Sequence, residues 1–305
     1  MKVVSAPQIP DRVNFGILLI LIAYLFFSLT DGTTKWLVLL GYPAFQLAFI
    51  RYGFQLAIGA TEISFRGFDK NEIKDHFWLL VFRGAMLASV TACVFYSLKY
   101  LTLSMYSAIL FTVPIFVSLI SGPILGEGVG PWRWFAIFMG FVGVVIIVSP
   151  FNESFHWASF LVLFAAIAMA IYSIITRKLA AKVRPHVLQF FTGLVGTLTF
   201  LPFAIWLWQP VTLKALMLMT WVGFASWAGH ELLTRAHKHA EASVLMPYSY
   251  SFIIYMTILG FIFYDEVPDE FTILGALVII ISGLIIWYRE RRLKIKAKRE
   301  GGNLA

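Results

Sequence analysis

The chain has 305 residues, of which 60% are hydrophobic and only 13% are charged, and its mean hydropathy is +0.82. Soluble domains carry about 25% charged residues, so this composition excludes an ordinary water-soluble fold and indicates an integral membrane protein. Much of the net charge of +8 comes from the segment 289–300, which follows the last apolar run. That position is typical of a tail that anchors to anionic lipid headgroups and excludes a nucleic-acid-binding surface.

Ten apolar segments follow one another along the chain, and each is long enough to cross roughly 30 Å of hydrocarbon as a helix. We predict transmembrane α-helices at 14–38, 43–63, 77–98, 102–122, 131–149, 157–180, 186–209, 212–236, 241–264 and 270–289. An all-α fold is expected because an open sheet edge would leave backbone polar groups unpaired in lipid. Prolines within segments predict bends at Pro114, Pro202 and Pro247, and the mixed-charge stretch 65–77 predicts a short interfacial helix.

The distribution of basic residues predicts the orientation. Ten crossings place both termini on one side, which then holds 19 Lys and Arg residues against three in the opposite loops. The positive-inside rule therefore predicts that both termini are cytoplasmic. We expect a multi-pass protein of the cytoplasmic (inner) membrane of a bacterium.

The two halves of the chain share a pattern. The stretches 97–129 and 236–268 each read as a small or polar turn, an apolar helix and a terminal acid, and Glu266 follows Glu127 by 139 residues. A five-helix unit that occurs twice must enter the membrane from opposite faces, because five is odd, and such inverted repeats are typical of carriers. We divide the chain into a cytoplasmic N-terminus, two five-helix repeats and a basic cytoplasmic tail, at 1–13, 14–150, 151–288 and 289–305.

Ionisable side chains within apolar segments are the candidate transport residues, because each costs roughly 2.5–3.5 kcal/mol to insert unless it has a partner or faces water. Asp31 and Lys35 lie four residues apart on one helix face, and we expect them to form an outer cluster with Arg51. Arg83 and the pair His230 and Glu231 are expected nearer the cytoplasm, with aromatic side chains as cavity walls. The substrate-binding or transport residues that we predict are Asp31, Lys35, Arg51, Arg83, Trp227, His230, Glu231, Tyr248 and Tyr250.

Each of these residues also has a structural interpretation. The arginines are equally consistent with paired ions that hold the helices in register. Lys35 is equally consistent with a side chain that extends to the membrane surface, and His230 with a buried neutral imidazole. The acids at helix ends, Glu127 and Glu266, are expected to cap helices or to hold loops.

Several stretches resemble the EamA-type carriers of the drug/metabolite transporter superfamily. One is the second helix with its Arg, 48-AFIRYGF-54, and another is the passage from the third helix to the fourth, 83-RGAMLASVTACVFYSLKYLTLSMYSAILFTVPIF-116. The acids at positions 127 and 266 fit the same pattern. The segments 29-LTDGTTKWL-37 and 229-GHELLTRAHKHAEASVLMPYSYS-251 are similar to the branch that contains S-adenosylmethionine carriers and riboflavin carriers. Two positions depart from the pattern: Ser173 stands where related carriers often have an acid, and Asp265 rather than Gly precedes Glu266.

The resemblance implies a secondary active transporter that moves a small polar organic metabolite by alternating access. The compound would be amino-acid-derived, S-adenosylmethionine-like or riboflavin-like. We expect membrane lipid as a partner, a proton or an exchanged substrate as the coupling species, and neither cofactor, metal nor nucleic acid. The alternatives are a membrane enzyme, a channel and a purely structural membrane protein. The enzyme alternative rests on 230-HELLTRAH-237, where Thr234 occupies the place of the second His of a zinc protease motif.

Overall fold

The computed structural model of the chain describes residues 10–125, 131–149, 155–179, 182–240 and 242–302. These residues form α-helices and one short 3-10 helix, with no strand among them, which confirms the all-α prediction. In chain order the helices are α1 (Pro10–Leu39), α2 (Ala44–Arg66), α3 (Lys70–Lys74), α4 (Phe77–Ser97), α5 (Leu103–Leu110), α6 (Val113–Leu125), α7 (Pro131–Val148), α8 (Ala158–Leu179), α9 (Pro185–Leu207), α10 (Leu213–His239), α11 (Ala242–Leu245), the 3-10 helix Met246–Tyr250, α12 (Ser251–Tyr264) and α13 (Glu270–Gly302).

Seven helical stretches of the described residues are long and apolar enough to cross a membrane. They are Val13–Leu39, Phe77–Ser97, Leu103–Ile120, Ala158–Leu179, Pro185–Leu207, Met246–Tyr264 and Glu270–Arg289. A shorter apolar helix covers Trp134–Val148, and α2 and α10 are long but more polar. Every predicted segment is therefore helical, whereas the count of ten membrane crossings stays a prediction.

Two of the predicted segments are discontinuous. The fourth is broken at Phe111 and Thr112, between α5 and α6 and just before Pro114. The ninth is interrupted by the 3-10 helix that contains Pro247, between α11 and α12. A proline ring has no N–H to continue the helical hydrogen bonds, which explains why both interruptions occur beside a proline. In contrast, α9 continues through Pro202.

The long helices pack as antiparallel pairs: α1 with α10, α2 with α9, α4 with α8, and α7 with α13. The α1–α10 pair illustrates the direction, because Gly16 near the start of α1 meets the last turn of α10, whereas Phe27, further along, meets Gly229. Small residues permit the closest approaches. A Cβ atom at Gly143 of α7 would lie 2.8 Å from Ile279 Cγ1 of α13, as expected where packing rather than water drives helix association.

Two groups of contacts mark the opposite ends of this bundle. At one end Lys35, near the end of α1, binds Glu266, which follows α12. At the other, Glu72 of α3 pairs with Arg184, where the Nε–Oε2 distance is 3.0 Å. We refer to these as the Glu266 end and the Glu72 end.

Candidate functional site

A cavity of about 510 Å³ lies inside the bundle, between the two ends. Helices from both halves of the chain form its wall, including α1, α2, α4, α8 and α10, together with the two interruptions beside Pro114 and Pro247. Its polar and charged lining residues are Tyr24, Thr30, Asp31, Arg51, Thr91, Tyr106, Ser118, Ser173, Arg177, Ser226, His230 and Ser249. Discontinuous helices that meet at a polar cavity are the usual substrate site of a secondary transporter.

Asp31 supplies a carboxylate to this cavity. It lies in the second half of α1 and accepts one hydrogen bond, from the Tyr106 hydroxyl at 2.8 Å. The side chain is partly exposed to the cavity, and no cation among the described residues lies within 4.0 Å of it. Asp31 therefore offers a negative charge that accepts a phenol hydrogen bond and that no cation of the described residues neutralises at ion-pair distance.

Arg51 supplies a guanidinium to the same cavity. Its Nε donates to Ser226 at 2.8 Å and its Nη1 to Thr91 at 2.6 Å. The guanidinium carbon lies 5.0 Å from the centre of the Tyr52 ring and 5.7 Å from that of Phe95. Within the described residues no carboxylate comes within 4.0 Å, so hydroxyls and aromatic faces fix its position without neutralising its charge.

Aromatic rings form much of the remaining wall. Phe111 and Phe252 stack with 5.9 Å between their centroids, and the His230 ring lies edge-on to Phe27 at 4.9 Å. Such surfaces favour a planar ring or an organic cation.

The lining also reaches the exposed side chain of Arg177, which lies at the Glu72 end, two residues before the end of α8.

Lys35 lies outside this lining and binds away from Asp31. Its ammonium forms an ion pair with Glu266 and donates to the Leu101 carbonyl oxygen at 2.6 Å. The other oxygen of Glu266 accepts from the Leu103 backbone N–H at 2.8 Å. We call the contacts among Lys35, Glu266 and the segment 101–103 the latch; they tie α1 to the turns after α4 and α12.

The turn at Asp265 explains how Glu266 reaches the latch. Asp265 has φ 53, in the left-handed region, and lets the Glu266 backbone N–H bond back to the Gly260 oxygen at 3.0 Å. Glycine adopts this conformation most easily, and Asp is among the few other residues that tolerate it. Asp265 therefore adopts a conformation that a glycine at this position would also allow.

Arg83 is buried between α4, α8 and α9 and lies outside the cavity lining. Its guanidinium donates to the Thr176, Thr192 and Tyr172 hydroxyls at 2.6–2.7 Å and to the Leu188 carbonyl oxygen at 3.1 Å. These contacts fix three helices together, which is the structural interpretation offered by the sequence.

Four further predicted transport residues lie outside the cavity lining. Glu231 is half-exposed and pairs with Arg235 one turn away, at 2.8 Å. Tyr248 is exposed, and the Trp227 ring packs beside that of Phe224. Tyr250 packs against Phe111, whose ring centroid is 5.1 Å away, just behind the wall. Glu127 lies outside the described residues.

The hydroxyl residues that hold the two charges are not among the transport residues predicted from the sequence. Thr91 and Ser226 each sit within an apolar helix, and a small polar residue there is a weak signal because its hydroxyl can bond its own backbone. Tyr106 lies 75 residues from its partner Asp31, and no spacing pattern in the sequence links the two. Among the described residues, no group of three or more His, Cys, Asp or Glu could hold a metal ion.

Comparison with known proteins gives several relatives along most of the chain. It is 28% identical over 254 residues to the S-adenosylmethionine uptake transporter of Rickettsia bellii, covering 83% of this chain and 87% of the relative. It is 28% identical over 295 residues to a riboflavin transporter of Rhizobium johnstonii, covering 94% and 95%. A pseudopaline exporter of Pseudomonas aeruginosa is 30% identical over 209 residues, which cover 67% of this chain and 72% of that one.

A solved crystal structure has the same fold, with a TM-score of 0.60 at 16% sequence identity over 93% of this chain and 98% of the other. The EamA-like transporter family model matches twice, at residues 14–149 and again at 156–288. The family and its relatives are transporters rather than enzymes, in agreement with the prediction from the sequence. With a family match over both halves and apolar helices long enough to span a bilayer, this chain is a multi-pass membrane protein that belongs to the EamA-like transporter family.

Proposed function

We propose that this chain is a secondary active transporter that moves an amino-acid-derived zwitterion across a bacterial inner membrane by alternating access. The observation that carries the proposal is the pair of opposite charges, Asp31 and Arg51, which face one cavity and are not paired with each other. The carboxylate of a zwitterion fits the Arg51 guanidinium, and its ammonium or sulfonium group fits Asp31. Each charge is fixed by hydroxyl groups before the ligand binds, so binding requires little reorganisation.

The aromatic wall favours a compound that also carries a planar ring. The rings of Phe111 and Phe252 lie in the lining, and the volume of about 510 Å³ is in the range of small-molecule sites. S-adenosylmethionine, for which the Rickettsia bellii relative is named, has an amino-acid group, a sulfonium and a planar base. Riboflavin, for which the Rhizobium johnstonii relative is named, has a planar ring and a ribityl chain but neither an ammonium nor a carboxylate group, so the charge pair favours the former kind of compound.

The proposed architecture is ten crossings in two inverted five-helix repeats, 14–150 and 151–288, with both termini in the cytoplasm. The helix pairing supports it. In the two units α1 corresponds to α8, α2 to α9, α4 to α10 and α7 to α13. Exchange of the units therefore turns the α1–α10 pair into the α8–α4 pair, which is also present, and leaves the α2–α9 and α7–α13 pairs unchanged. Phe111 and Tyr250 are 139 residues apart in sequence, as Glu127 and Glu266 are, and their rings touch. A contact between equivalent positions is expected close to the axis that relates two repeats.

The difference between the two ends of the cavity supports alternating access. The latch of Lys35 and Glu266 closes the Glu266 end, whereas the lining continues to exposed Arg177 at the Glu72 end. The excess of basic residues at the Glu72 end supports a cytoplasmic position for that end. We therefore interpret this conformation as inward-facing, with the latch as the closed outer gate.

A binding experiment with matched ligands tests the charge pair. A thermal-stabilisation screen of the purified protein against amino acids, S-adenosylmethionine, riboflavin and quaternary amines selects the zwitterion to use. Its affinity is then compared with that of two analogues, one without the amino group and one without the carboxylate. Asp31→Asn is expected to weaken binding of the zwitterion and of the amine analogue by about tenfold or more and to leave binding of the carboxylate analogue unchanged. Arg51→Gln is expected to weaken binding of the zwitterion and of the carboxylate analogue and to leave binding of the amine analogue unchanged.

The control variant is Glu62→Gln, which removes an acid that pairs with Arg66 on the exposed surface of α2 at 3.7 Å. It is expected to bind all three ligands as the unsubstituted protein does. Equal losses for all three ligands in Asp31→Asn, in protein that melts as the control does, would overturn the assignment of the ammonium to Asp31. Flux of the selected compound into proteoliposomes, saturable with concentration, distinguishes a carrier from a channel.

A further inference from the structure

A second cavity, of about 480 Å³, lies at the Glu72 end. Two separate parts of the chain form it: the segment 74–82, where α3 leads into α4, and the segment 178–182 at the end of α8. It is distinct from the central cavity, with which it shares no lining residue. Nothing in the transport mechanism requires it.

The polar lining of this second cavity is basic. Lys74 comes from the first segment, and Lys178 and Lys182 come from the second. The lining also contains Asp75 and His76, so its formal charge with a neutral imidazole is positive. In the described part of the chain no carboxylate lies within 4.0 Å of any of the three lysine amines. Three like charges around one concave surface repel each other, and an anion between them would relieve that repulsion.

The apolar side of the cavity lies where membrane spans end. The apolar stretch of α4 starts at Phe77 and that of α8 stops at Leu179, so the cavity sits at the boundary between hydrocarbon and water. Trp78 and Phe82 belong to the lining and are 79% and 47% exposed. Aromatic residues are typical of this depth, where their rings contact the upper part of the lipid chains.

We propose that this cavity binds the headgroup of an anionic phospholipid. Its phosphate lies among Lys74, Lys178 and Lys182, and its acyl chains follow Trp78 and Phe82 into the bilayer. A free phosphate would use the lysines and leave the exposed rings without a partner, which is why the charge and the apolar wall together favour a lipid. The bound lipid joins α4 of the first half of the chain to α8 of the second, so it would contribute to the packing of the two halves.

Native mass spectrometry of the full-length protein in detergent tests this inference. The protein is titrated with phosphatidylglycerol or with zwitterionic phosphatidylcholine, and the retained lipid is counted. The cavity variant is K74Q/K178Q/K182Q. The charge-matched control is K70Q/K238Q/R292Q, which replaces three exposed basic residues at the same end. A basic residue near a membrane surface contributes roughly fivefold to the binding of anionic lipid. The cavity variant should therefore bind phosphatidylglycerol at least tenfold more weakly, whereas the control keeps the tightest site.

Two further measurements separate a lipid from a soluble anion. The double variant Trp78→Ala with Phe82→Ala should weaken the binding of phosphatidylglycerol several-fold, although it changes no charge. Inorganic phosphate and glycerophosphoglycerol, at the same concentrations, should not displace the lipid. Equal losses in the cavity variant and the control, equal retention of phosphatidylcholine, or displacement by inorganic phosphate would each overturn the proposal.

Discussion

Disrupting the latch should open the Glu266 end of the cavity. Glu266→Gln keeps the size of the side chain and removes the charge that binds Lys35, whose exposed fraction is 4%. Removing one partner of a buried ion pair costs about 3–5 kcal/mol. The Leu101 carbonyl oxygen still accepts a hydrogen bond from Lys35, and the Glu266 side chain is 13% exposed. We therefore expect the closed conformation to be destabilised by about 2 kcal/mol, less than the full cost of breaking a buried pair. That loss corresponds to a shift of about thirtyfold toward the outward-facing conformation.

Cysteine labelling measures this shift. Cys93 is the single cysteine, so Cys93→Ser gives a background in which Val94→Cys, in the cavity lining, is the sole reactive thiol. A membrane-impermeant maleimide is added to proteoliposomes from the Glu266 side. In Glu266→Gln the labelling rate should rise by about tenfold or more. In Glu62→Gln, where an exposed pair is lost, it should not change.

The double variant Lys35→Met with Glu266→Gln separates gating from misfolding. Removing both charges leaves no buried ammonium without a partner, so its thermal stability should exceed that of Glu266→Gln alone. Its labelling from the Glu266 side should nevertheless stay high, because the latch is absent. Unchanged labelling in both latch variants, with folded protein, would refute the gate.

Two more substitutions test residues outside the site. Glu231→Gln is expected to keep transport close to that of the unsubstituted protein, because the pair with Arg235 lies on a half-exposed helix face and such pairs contribute about 0–1 kcal/mol; a well-inserted variant that transports poorly would support the prediction from the sequence that Glu231 acts in transport. Gly196→Ala should lower the melting temperature in detergent, because the new Cβ would lie 2.3 Å from the Tyr52 ring and overpacking costs about 1–3 kcal/mol. Gly53→Ala is its control, since nothing lies within 4 Å of that Cβ, and equal melting of the two variants would contradict the packing argument.

Much of the fold could be predicted because a bilayer imposes it. Apolar runs of sufficient length must be helices in lipid, and all the predicted segments are helical. Most of their ends differ from the prediction by a few residues, as at 77–98 and α4 (Phe77–Ser97), whereas α13 continues past 289 to Gly302. The breaks beside Pro114 and Pro247 follow from the missing proline N–H. In these cases the cause is local, so the sequence contains it.

The partners of the charged residues could not be predicted in the same way. Spacing on one helix face placed Lys35 beside Asp31, yet the lysine binds Glu266, 231 residues further on. The favourable energy of an i,i+4 pair is only about 0.2–0.5 kcal/mol, so tertiary packing easily overrides it. The position of the hydroxyl residues could not be predicted either. The Thr30 hydroxyl donates to the Phe26 carbonyl oxygen of its own helix, as many helical threonines do, and yet Thr30 lines the cavity.

The hydroxyl-held guanidinium of Arg51 has a consequence for turnover. An empty carrier that passes through an occluded intermediate must enclose both that cation and Asp31 without an ion pair between them, which is costly in a dry interior. A bound zwitterion supplies both missing charges and lowers that barrier. If the chain transports as proposed, return of the unloaded protein should be slow, and we expect exchange of one cargo molecule for another to be faster than net transport.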